Sequence, residues 1–238
     1  MALPTRKILG TSIAVTDYDS ALAEVLTLLE TNRPAAISAS NTHLVSLARH
    51  DPSFRRVLSG FSINLPDGIP LIWNLNAQGA KLVVRVYGPY FMRHVLQNAP
   101  SSTRHFFFGG SQRCLDAMEE QLRSLRPDIQ IAGTISPPYR AWSDEEEEDF
   151  AKVIHDSKAD FVWVALGGGR QERWIAKNLS RHDRGIFVAV GDAFELLAGT
   201  RPFAPDWMQR TGLTWLYRLC QEPRRYRDHN LRGSWQSR

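Results

Sequence analysis

Asp67 is the residue of this chain whose local setting best suits chemistry. It lies in a turn, residues 65–69, that follows an apolar run, residues 61–65, typical of a buried strand. Pro66 lacks the N–H that would continue sheet pairing, and Gly68 allows backbone angles that other residues resist. Because open α/β sheets bind ligands at the carboxyl ends of their strands, Asp67 is the first candidate for a catalytic group. An Asp-Gly pair is also common in ordinary turns, and that alternative stays open here.

Three further predicted strands end in glycine. The glycines are Gly109 and Gly110, Gly167 and Gly168, and Gly191. Glycine lets a backbone approach a ligand closely, and the free amides at the start of the next helix attract phosphate, so we expect a nucleotide or a sugar nucleotide here. Tight turns between a strand and a helix also use glycine for packing. The chain has neither the Gly-x-Gly-x-x-Gly fingerprint nor the phosphate-loop lysine motif, which argues against a dinucleotide oxidoreductase or an ATPase.

Polar residues at other predicted boundaries could complete such a site. Asn41 and Thr42 follow the predicted strand 35–39. Gln171 is expected in the first turn of a helix, where its amide could bind a sugar hydroxyl or a uracil edge, although an ordinary helix start would look the same. Arg85 could hold a phosphate bidentately or form a surface salt bridge.

The sequence predicts no metal site and no cofactor. Its histidines are scattered, and His43 and His50, seven residues apart, do not have a spacing typical of zinc ligands. Asp17 and Asp19 resemble an Asp-x-Asp metal motif, but they precede a predicted helix, and capping is the expected role. We find no serine or cysteine nucleophile motif.

Composition limits the class and the compartment of the protein. With 238 residues and 43% hydrophobic residues, the chain can form one large domain or two small ones. Cys114 and Cys220 show no metal-ligand spacing, and a reducing cytosol without disulfides is the expected setting. Asp17 and Asp19 interrupt the first apolar stretch, so we expect neither a signal peptide nor a transmembrane helix.

Strands and helices are expected to alternate along the chain. The predicted strands are 35–39, 61–65, 105–108, 129–133, 160–166 and 186–190, and helical spacing fills the segments between most of them. A capping box at Ser143 and Glu146 predicts that one of these helices starts there. The alternation predicts an α/β fold with a Rossmann-like, mostly parallel sheet and helices on both faces.

The carboxyl-terminal segment has a different character. Residues 200–238 carry eight arginines and three acids, whereas the other residues are close to neutral. We therefore expect a core, residues 1–199, and a basic, aromatic and helical appendage, residues 200–238. Such a segment suits an anionic surface or a phosphate group, and a solvated helix end is the alternative. No nucleic-acid-binding motif is present, so nucleic acid is not an expected partner.

Taken together, the motifs resemble the WecG/TagA/CpsF glycosyltransferase family from about residue 10 to residue 227. The order and spacing of the motifs carry the resemblance, which is far more specific than any one of them. The main ones are Asn41-Thr42-His43-Leu44, Pro66-Asp67-Gly68, Arg85-Val86-Tyr87-Gly88-Pro89, Phe108-Gly109-Gly110, Gly167-Gly168, Gln171-Glu172-Arg173-Trp174, Ala204-Pro205-Asp206-Trp207 and Glu222-Pro223-Arg224-Arg225.

The resemblance implies an inverting, metal-independent transfer. A hexosyl unit, most often N-acetylmannosaminyl, would move from a UDP-sugar to a polyprenyl-diphosphate-linked sugar in bacterial surface polysaccharide synthesis. Asp67 would be the general base for the acceptor hydroxyl. The donor-binding positions would be Asn41, Thr42, Gly109, Gly110, Gly167, Gly168, Gln171 and Gly191. The phosphate- and acceptor-binding positions would be Arg85, Arg218, Arg224 and Arg225.

The resemblance also implies a location and leaves alternatives open. The appendage would close over the active site and contact the inner face of the cytoplasmic membrane, making the protein cytoplasmic and peripheral, and the core could form a homo-oligomer. One alternative is the same mechanism with UDP-glucose or another UDP-hexose as donor. Another is a non-catalytic scaffold that binds a nucleotide or a lipid phosphate in a polysaccharide-synthesising complex.

Overall fold

The computed structural model describes residues 2–205, 207–208 and 213–221. The chain divides into two compact units, with the boundary between Arg201 and Pro202. All the described strands belong to the first unit, and the described part of the second includes one helix, Thr214–Gln221. The roles expected of the appendage remain predictions. Arg218 lies in this helix, whereas Arg224 and Arg225 lie outside the described residues.

The first unit is built on a six-stranded sheet. Two short strands, β1 (Thr5–Ile8) and β2 (Thr11–Ala14), precede it. The sheet strands are β3 (Ala35–Ser40), β4 (Ile63–Pro66), β5 (Arg104–Gly109), β6 (Gln130–Ile135), β7 (Phe161–Ala165) and β8 (Ile186–Ala189). Their order is β4-β3-β8-β7-β5-β6, and every described pair is parallel. The Rossmann-like α/β prediction is confirmed.

Helices connect the strands. They are α1 (Tyr18–Glu30), α2 (Thr42–His50), α3 (Pro52–Ser59), α4 (Ile69–Ala77), α5 (Gly88–Asn98), α6 (Gln112–Leu125), α7 (Asp144–Asp156), α8 (Arg170–Asn178), α9 (Ala193–Leu197) and, in the second unit, α10 (Thr214–Gln221). The predicted capping box is confirmed, because Ser143 and Glu146 cap α7 reciprocally. Asp17 caps α1 by accepting a hydrogen bond from Ser20 N at 2.8 Å, as expected.

Helices cover both faces of the sheet, as predicted. Alternate strand residues enter two separate cores because successive side chains of a strand point to opposite faces. One core packs Phe107, Trp163 and Val188 against α1, α5, α6 and α9. The other packs Phe106, Val162 and Phe187 against α7 and α8. Each buried Phe contributes about 2 kcal/mol of transfer free energy, so the two cores together fix the sheet between its helices.

The antiparallel hairpin of β1 and β2 was not predicted. Its two-residue turn puts Leu9 at φ 49° and Gly10 at φ 89°. Tight hairpins require such angles, which leucine rarely adopts. Because this turn is Leu-Gly, it lacks the Asn-Gly or Asp-Gly pair that usually indicates a hairpin. The hairpin is tied to the main sheet by Asn64 of β4, whose Nδ2 donates to Ser12 O at 3.2 Å.

Helices α5 and α9 were also not predicted. Helix α5 begins with Gly88 and Pro89, two residues that usually interrupt regular structure. Proline is nevertheless favourable in the first turn of a helix, where its missing N–H has no intrahelical partner to lose. Helix α9 has only five residues, which is too short to show a helical period.

Candidate active site

The parallel sheet brings most of the predicted site residues to one edge. All six strands run in the same direction, so their carboxyl ends and the loops that follow lie along a common edge. Along it, Asp67 follows β4, Asn41 follows β3 and Gly191 follows β8. The glycines that end or follow β7 and β5 continue the row. They are Gly167 and Gly168, and Gly109 and Gly110.

Asp67 lies at the amino end of helix α5. Its Oδ2 accepts a hydrogen bond from Gly88 N at 3.4 Å, and Arg85 Nη1 lies 3.7 Å from its Oδ1. Arg85 Nη1 also donates to the backbone carbonyl of Asp67 at 3.2 Å. The Asp67 and Arg85 side chains are each 13% exposed. A helix amino end and a guanidinium both stabilise negative charge, so this setting favours the ionised carboxylate that a general base requires.

Gly88 allows α5 to begin close to the sheet edge. A Cβ at this position would lie 3.0 Å from Ala39 Cβ, 3.3 Å from Val190 O and 3.7 Å from Asp67 Oδ2. Any side chain would therefore push the helix away from the ends of β3 and β8. The first N–H of the helix reaches Asp67 because this residue is glycine.

Tyr18 supports the same region from helix α1. Its hydroxyl accepts a hydrogen bond from Tyr87 N at 3.0 Å, and the Arg85 guanidinium lies 4.4 Å above the Tyr87 ring. Burial raises the pKa of Tyr18 to about 12, and the charge of Asp67 adds to the shift. The hydroxyl therefore stays protonated at neutral pH. No sequence pattern indicates this role, because a tyrosine at a helix start is ordinary.

Asn41 and Thr42 form the turn from β3 into α2. Asn41 caps this helix, since its Oδ1 accepts a hydrogen bond from Leu44 N at 3.1 Å. Its NH2 group has no hydrogen-bond partner among the described residues. A Cβ at Gly68 would lie 3.0 Å from Thr42 Oγ1, so the turn that holds Asp67 packs directly on the start of α2.

The glycines of the edge have two different roles. A Cβ at Gly109 would lie 2.3 Å from Ala165 O, so this glycine is required for the packing of β5 against β7. Gly167 and Gly191 have φ values of 89° and 63°, and a Cβ on either would meet no atom within 4 Å. These two positions therefore need glycine for the backbone turn, and the space beside them is open.

Gln171 differs from the expectation of an available amide. It is only 3% exposed, its Nε2 donates to Glu172 Oε1 at 3.1 Å, and its Oε1 accepts a hydrogen bond from Gly191 N at 3.2 Å. The side chain thus links the loops after β7 and β8.

Glu172 is wholly buried, and burial raises its pKa. The sequence offered one signal for it, because a Glu three residues after the Gly169 helix boundary has capping-box spacing.

Acidic groups after β8 face a cation of the same unit. Arg201 Nη1 lies 2.9 Å from Asp192 Oδ2 and 3.5 Å from Glu195 Oε2.

Across residues 2–205, 207–208 and 213–221, no three His, Cys, Asp or Glu side chains gather as metal ligands would. Within the same residues, no helix has the length and apolar character needed to cross a bilayer.

The fold and the edge define a class of protein. A Rossmann-like parallel sheet with an acid, an amide and open glycine turns along its carboxyl edge is typical of α/β enzymes, which as a class bind their ligands at that edge. The chain belongs to the glycosyl transferase WecG/TagA/CpsF family, whose sequence model matches residues 6–236. The predicted family is confirmed, and the protein is a glycosyltransferase.

Two similar bacterial proteins carry the same name, N-acetylglucosaminyldiphosphoundecaprenol N-acetyl-beta-D-mannosaminyltransferase. The one from Bacillus spizizenii is 30% identical over 202 residues, which cover 84% of this chain and 77% of the relative. The one from Bacillus subtilis strain 168 is 29% identical over 197 residues, which cover 81% and 74%. The similarity therefore extends over most of both chains.

Asn41 caps a helix and is also a candidate donor-binding residue. Substitutions can separate these two roles. Asn41→Ala removes the cap, and we expect the free energy of unfolding to fall by about 1 kcal/mol. Asn41→Ser keeps a capping oxygen and loses the NH2 group, so stability should stay within about 0.5 kcal/mol while UDP affinity falls. Denaturant titration and calorimetry measure the two effects. Unchanged UDP affinity in Asn41→Ser would show that Asn41 serves only the helix.

Proposed function

We propose that this enzyme transfers an N-acetylmannosaminyl unit from a UDP-sugar to a polyprenyl-diphosphate-linked sugar with inversion at the anomeric carbon. The names of the two relatives describe a β-mannosaminyl product and an undecaprenyl-diphosphate acceptor, which supports this choice of substrates. The observation that carries the proposal is the carboxylate of Asp67, held at the sheet edge between Arg85 and the start of α5.

In this mechanism Asp67 is the general base. Its carboxylate takes the proton from the acceptor hydroxyl while that oxygen attacks the anomeric carbon of the donor. The bond from the anomeric carbon to the UDP oxygen breaks, and UDP leaves from the opposite face of the sugar. Attack opposite to the leaving group turns an α-linked donor into a β-linked product. The Arg85 guanidinium, 3.7 Å from Oδ1, attracts the carboxylate and holds it at the sheet edge before the acceptor arrives.

The rest of the edge suits the donor. The amino ends of α2 and α8 and the open backbone turns at Gly167 and Gly191 are suitable places for the diphosphate. The NH2 group of Asn41 could donate to a sugar or phosphate oxygen. In this proposal arginines, rather than a metal ion, offset the phosphate charges. Arg85 of the first unit would serve the donor, and Arg218, Arg224 and Arg225 of the second would serve the diphosphate of the acceptor.

The proposal places the enzyme at the inner face of the cytoplasmic membrane. A polyprenyl-diphosphate acceptor is anchored in a bilayer, so the sugar to be modified lies at the membrane surface. Residues 200–238 combine eight arginines with several tryptophans and tyrosines, a composition that favours an anionic interface. We propose that this segment brings the core to the acceptor.

The identity of the donor sugar is tested with a panel of UDP-sugars. With a polyprenyl-diphosphate N-acetylglucosamine acceptor, UDP release should be fastest with UDP-N-acetylmannosamine. We expect kcat/KM to exceed that for UDP-glucose by about 100-fold or more, as sites that hydrogen-bond a substrate group discriminate strongly against analogues that lack it. A preference for UDP-glucose would assign the same fold and base to a different donor. Binding of UDP without release from any donor would support the scaffold alternative.

Replacement of the proposed base provides a direct test of the mechanism. Asp67→Asn should lower kcat by roughly 100- to 10,000-fold, because the amide cannot accept the proton, while UDP still binds. Stopped assays of transfer and calorimetry with UDP measure the two properties. Asp51→Asn is the matched control, since Asp51 also pairs with an arginine, Arg173, at 2.7 Å, and lies at the start of α3. Wild-type turnover in Asp67→Asn would exclude Asp67 as the base.

Truncation after Arg201 tests the second unit. The remaining unit keeps both hydrophobic cores and the Arg201 pair with Asp192, so we expect a cooperative unfolding transition and UDP binding. Transfer to a lipid-linked acceptor in anionic vesicles should fall by at least about tenfold, because each basic residue at such a surface is worth about 1 kcal/mol. Vesicle sedimentation and transfer assays provide the readouts. Full transfer by the truncated enzyme would refute the proposed role of residues 202–238.

A further inference from the structure

Glu172 is a buried acid directly beneath the proposed donor site. Its side chain has no solvent exposure. Its Oε2 accepts a hydrogen bond from Gly169 N at 2.6 Å, and its Oε1 accepts one from Gln171 Nε2 at 3.1 Å. Ser38 Oγ lies 3.3 Å from the same Oε1. An ionised carboxylate in such a place is unfavourable unless a cation accompanies it.

No cation accompanies Glu172 among the described residues. Its pKa is raised by burial, and the smaller opposing effects come from hydrogen bonds rather than from charged groups. The basic side chains of α8 have other partners, as does Arg55 of the adjoining α3, while Arg56 of α3 is exposed to solvent. Arg170 lies over the Trp142 ring, Arg173 pairs with Asp51, Lys177 pairs with Glu147, and Arg55 donates to Ala48 O.

A row of polar contacts leads from Glu172 across the sheet. Ser38 Oγ lies 3.1 Å from Ser40 Oγ, because residues two apart on β3 point to the same face. Ser40 Oγ lies 3.3 Å from Asn64 Oδ1 on the neighbouring strand β4. Three contacts therefore join four oxygen atoms, from the Glu172 carboxyl to the Asn64 amide, and all of these side chains are buried.

The orientation of the Asn64 amide is fixed by its other contacts. Its Nδ2 donates to Ser12 O at 3.2 Å and to Leu58 O at 3.0 Å. The reverse orientation would place the amide oxygen against two carbonyl oxygens. The Oδ1 atom therefore faces Ser40, and since an amide oxygen can only accept, Ser40 must donate to it.

The number of protons then determines the state of Glu172. Ser40 has one hydroxyl proton and uses it on Asn64, so Ser38 must donate to Ser40. Ser38 has then no proton left for Glu172. The third contact can be a hydrogen bond only if Glu172 Oε1 carries a proton and donates it to Ser38 Oγ. An ionised Glu172 would leave two oxygen lone pairs facing each other somewhere in the row, at a cost that burial makes high.

We propose that Glu172 is a neutral carboxylic acid in the folded enzyme and that it is a positioning residue for the donor site. Its protonated Oε1 donates to Ser38 and accepts from Gln171 Nε2, while Oε2 holds the N–H of Gly169. Gln171, fixed in this way, presents its own oxygen to Gly191 N. One side chain therefore ties β3, the loop after β7 and, through Gln171, the loop after β8.

Neutrality also has an electrostatic consequence, which rests on the proposed function. If a diphosphate binds along these loops, a negative charge on Glu172 would repel it through a poorly screened interior. A protonated carboxyl provides the same hydrogen-bonding positions without that charge. The hydrogen bonds of Glu172 can then keep the loops rigid without placing a negative charge beneath the phosphates.

The protonation state is tested by infrared spectroscopy of the full-length enzyme at neutral pH in the absence of any ligand. We expect the carbonyl stretching band of a protonated carboxyl in the wild type and its loss in Glu172→Gln. Glu120→Gln, which replaces an exposed glutamate of α6, should keep the band. Absence of the band from the wild type, or its persistence in Glu172→Gln, would overturn the proposal. If Glu172→Gln does not fold, carbon-13 NMR of wild-type enzyme with labelled glutamate carboxyls tests the same point, and a spectrum with every carboxyl ionised at pH 7 overturns it.

Unfolding equilibria provide an independent measurement. The folded pKa of Glu172 is raised above the ordinary value of 4.5, so between these values the folded protein binds one proton more than the unfolded chain. The stability that this proton contributes is fully present below pH 4.5 and is lost as the pH rises through the folded pKa. The unfolding constant of the wild type, divided by that of Glu172→Gln, should therefore rise by up to about tenfold per pH unit above 4.5. A constant ratio would show that Glu172 is ionised in both states.

The positioning role has a kinetic readout of its own. With its NH2 group toward Ser38, the amide of Glu172→Gln loses only the hydrogen bond from Gln171, and the facing NH2 groups would force Gln171 to turn away from Gly191. The opposite orientation loses two hydrogen bonds, those with Ser38 and Gly169, and is therefore less favourable. We expect KM for the UDP-sugar and Kd for UDP to rise about fivefold, the effect of one hydrogen bond, with kcat within about twofold. A fall in kcat at constant KM would refute the positioning role. If the wild type transfers from no UDP-sugar, the proposed function fails, whereas the infrared and unfolding results still decide the state of Glu172.

Discussion

The parallel alignment of the six sheet strands is the constraint on which the candidate site depends. It places the carboxyl ends of strands that are far apart in sequence along one edge, where Asp67, Asn41 and Gly191 follow adjacent strands. The edge is also closely packed. Helix α5 can begin against Ala39 and Val190 only because Gly88 has no side chain, and that approach brings its first amide to Asp67.

Two acids at this edge are held in opposite electrostatic settings. Asp67 lies beside a guanidinium and a helix amino end, both of which stabilise a negative charge. Glu172 lies in a dry interior among hydroxyl, amide and backbone groups, which suits a neutral acid. In our proposals the first is ready to take a proton from the acceptor, and the second keeps its proton so that the donor side of the edge has no buried negative charge.

The glycines and Gln171 show why residue type alone does not assign a role at such a site. Gly109 and Gly167 both stand where a strand ends, but only Gly109 is in contact with a neighbouring strand, whereas Gly167 borders open space. Gln171 was expected to offer its amide to a ligand, and it instead joins two loops while almost wholly buried. Its effect on a donor in our proposal is therefore indirect, through the position of the loop at Gly191.

The sequence by itself determined the class of fold, most of the strands and helices, the caps at Asp17 and Ser143, and the family, because these depend on local apolar patterns and on motifs in order along the chain. It did not reveal the hairpin or α5, whose turn at Leu9 and start at Gly88 depart from the usual local signals. Only the tertiary structure decided what each candidate side chain contacts. Ser38 and Glu172 are 134 residues apart, and their contact exists because parallel strands and their following helices meet at one edge. Burial is likewise a property of the whole fold, so the neutral state that we infer for Glu172 could not be read from a residue type that is normally exposed and charged.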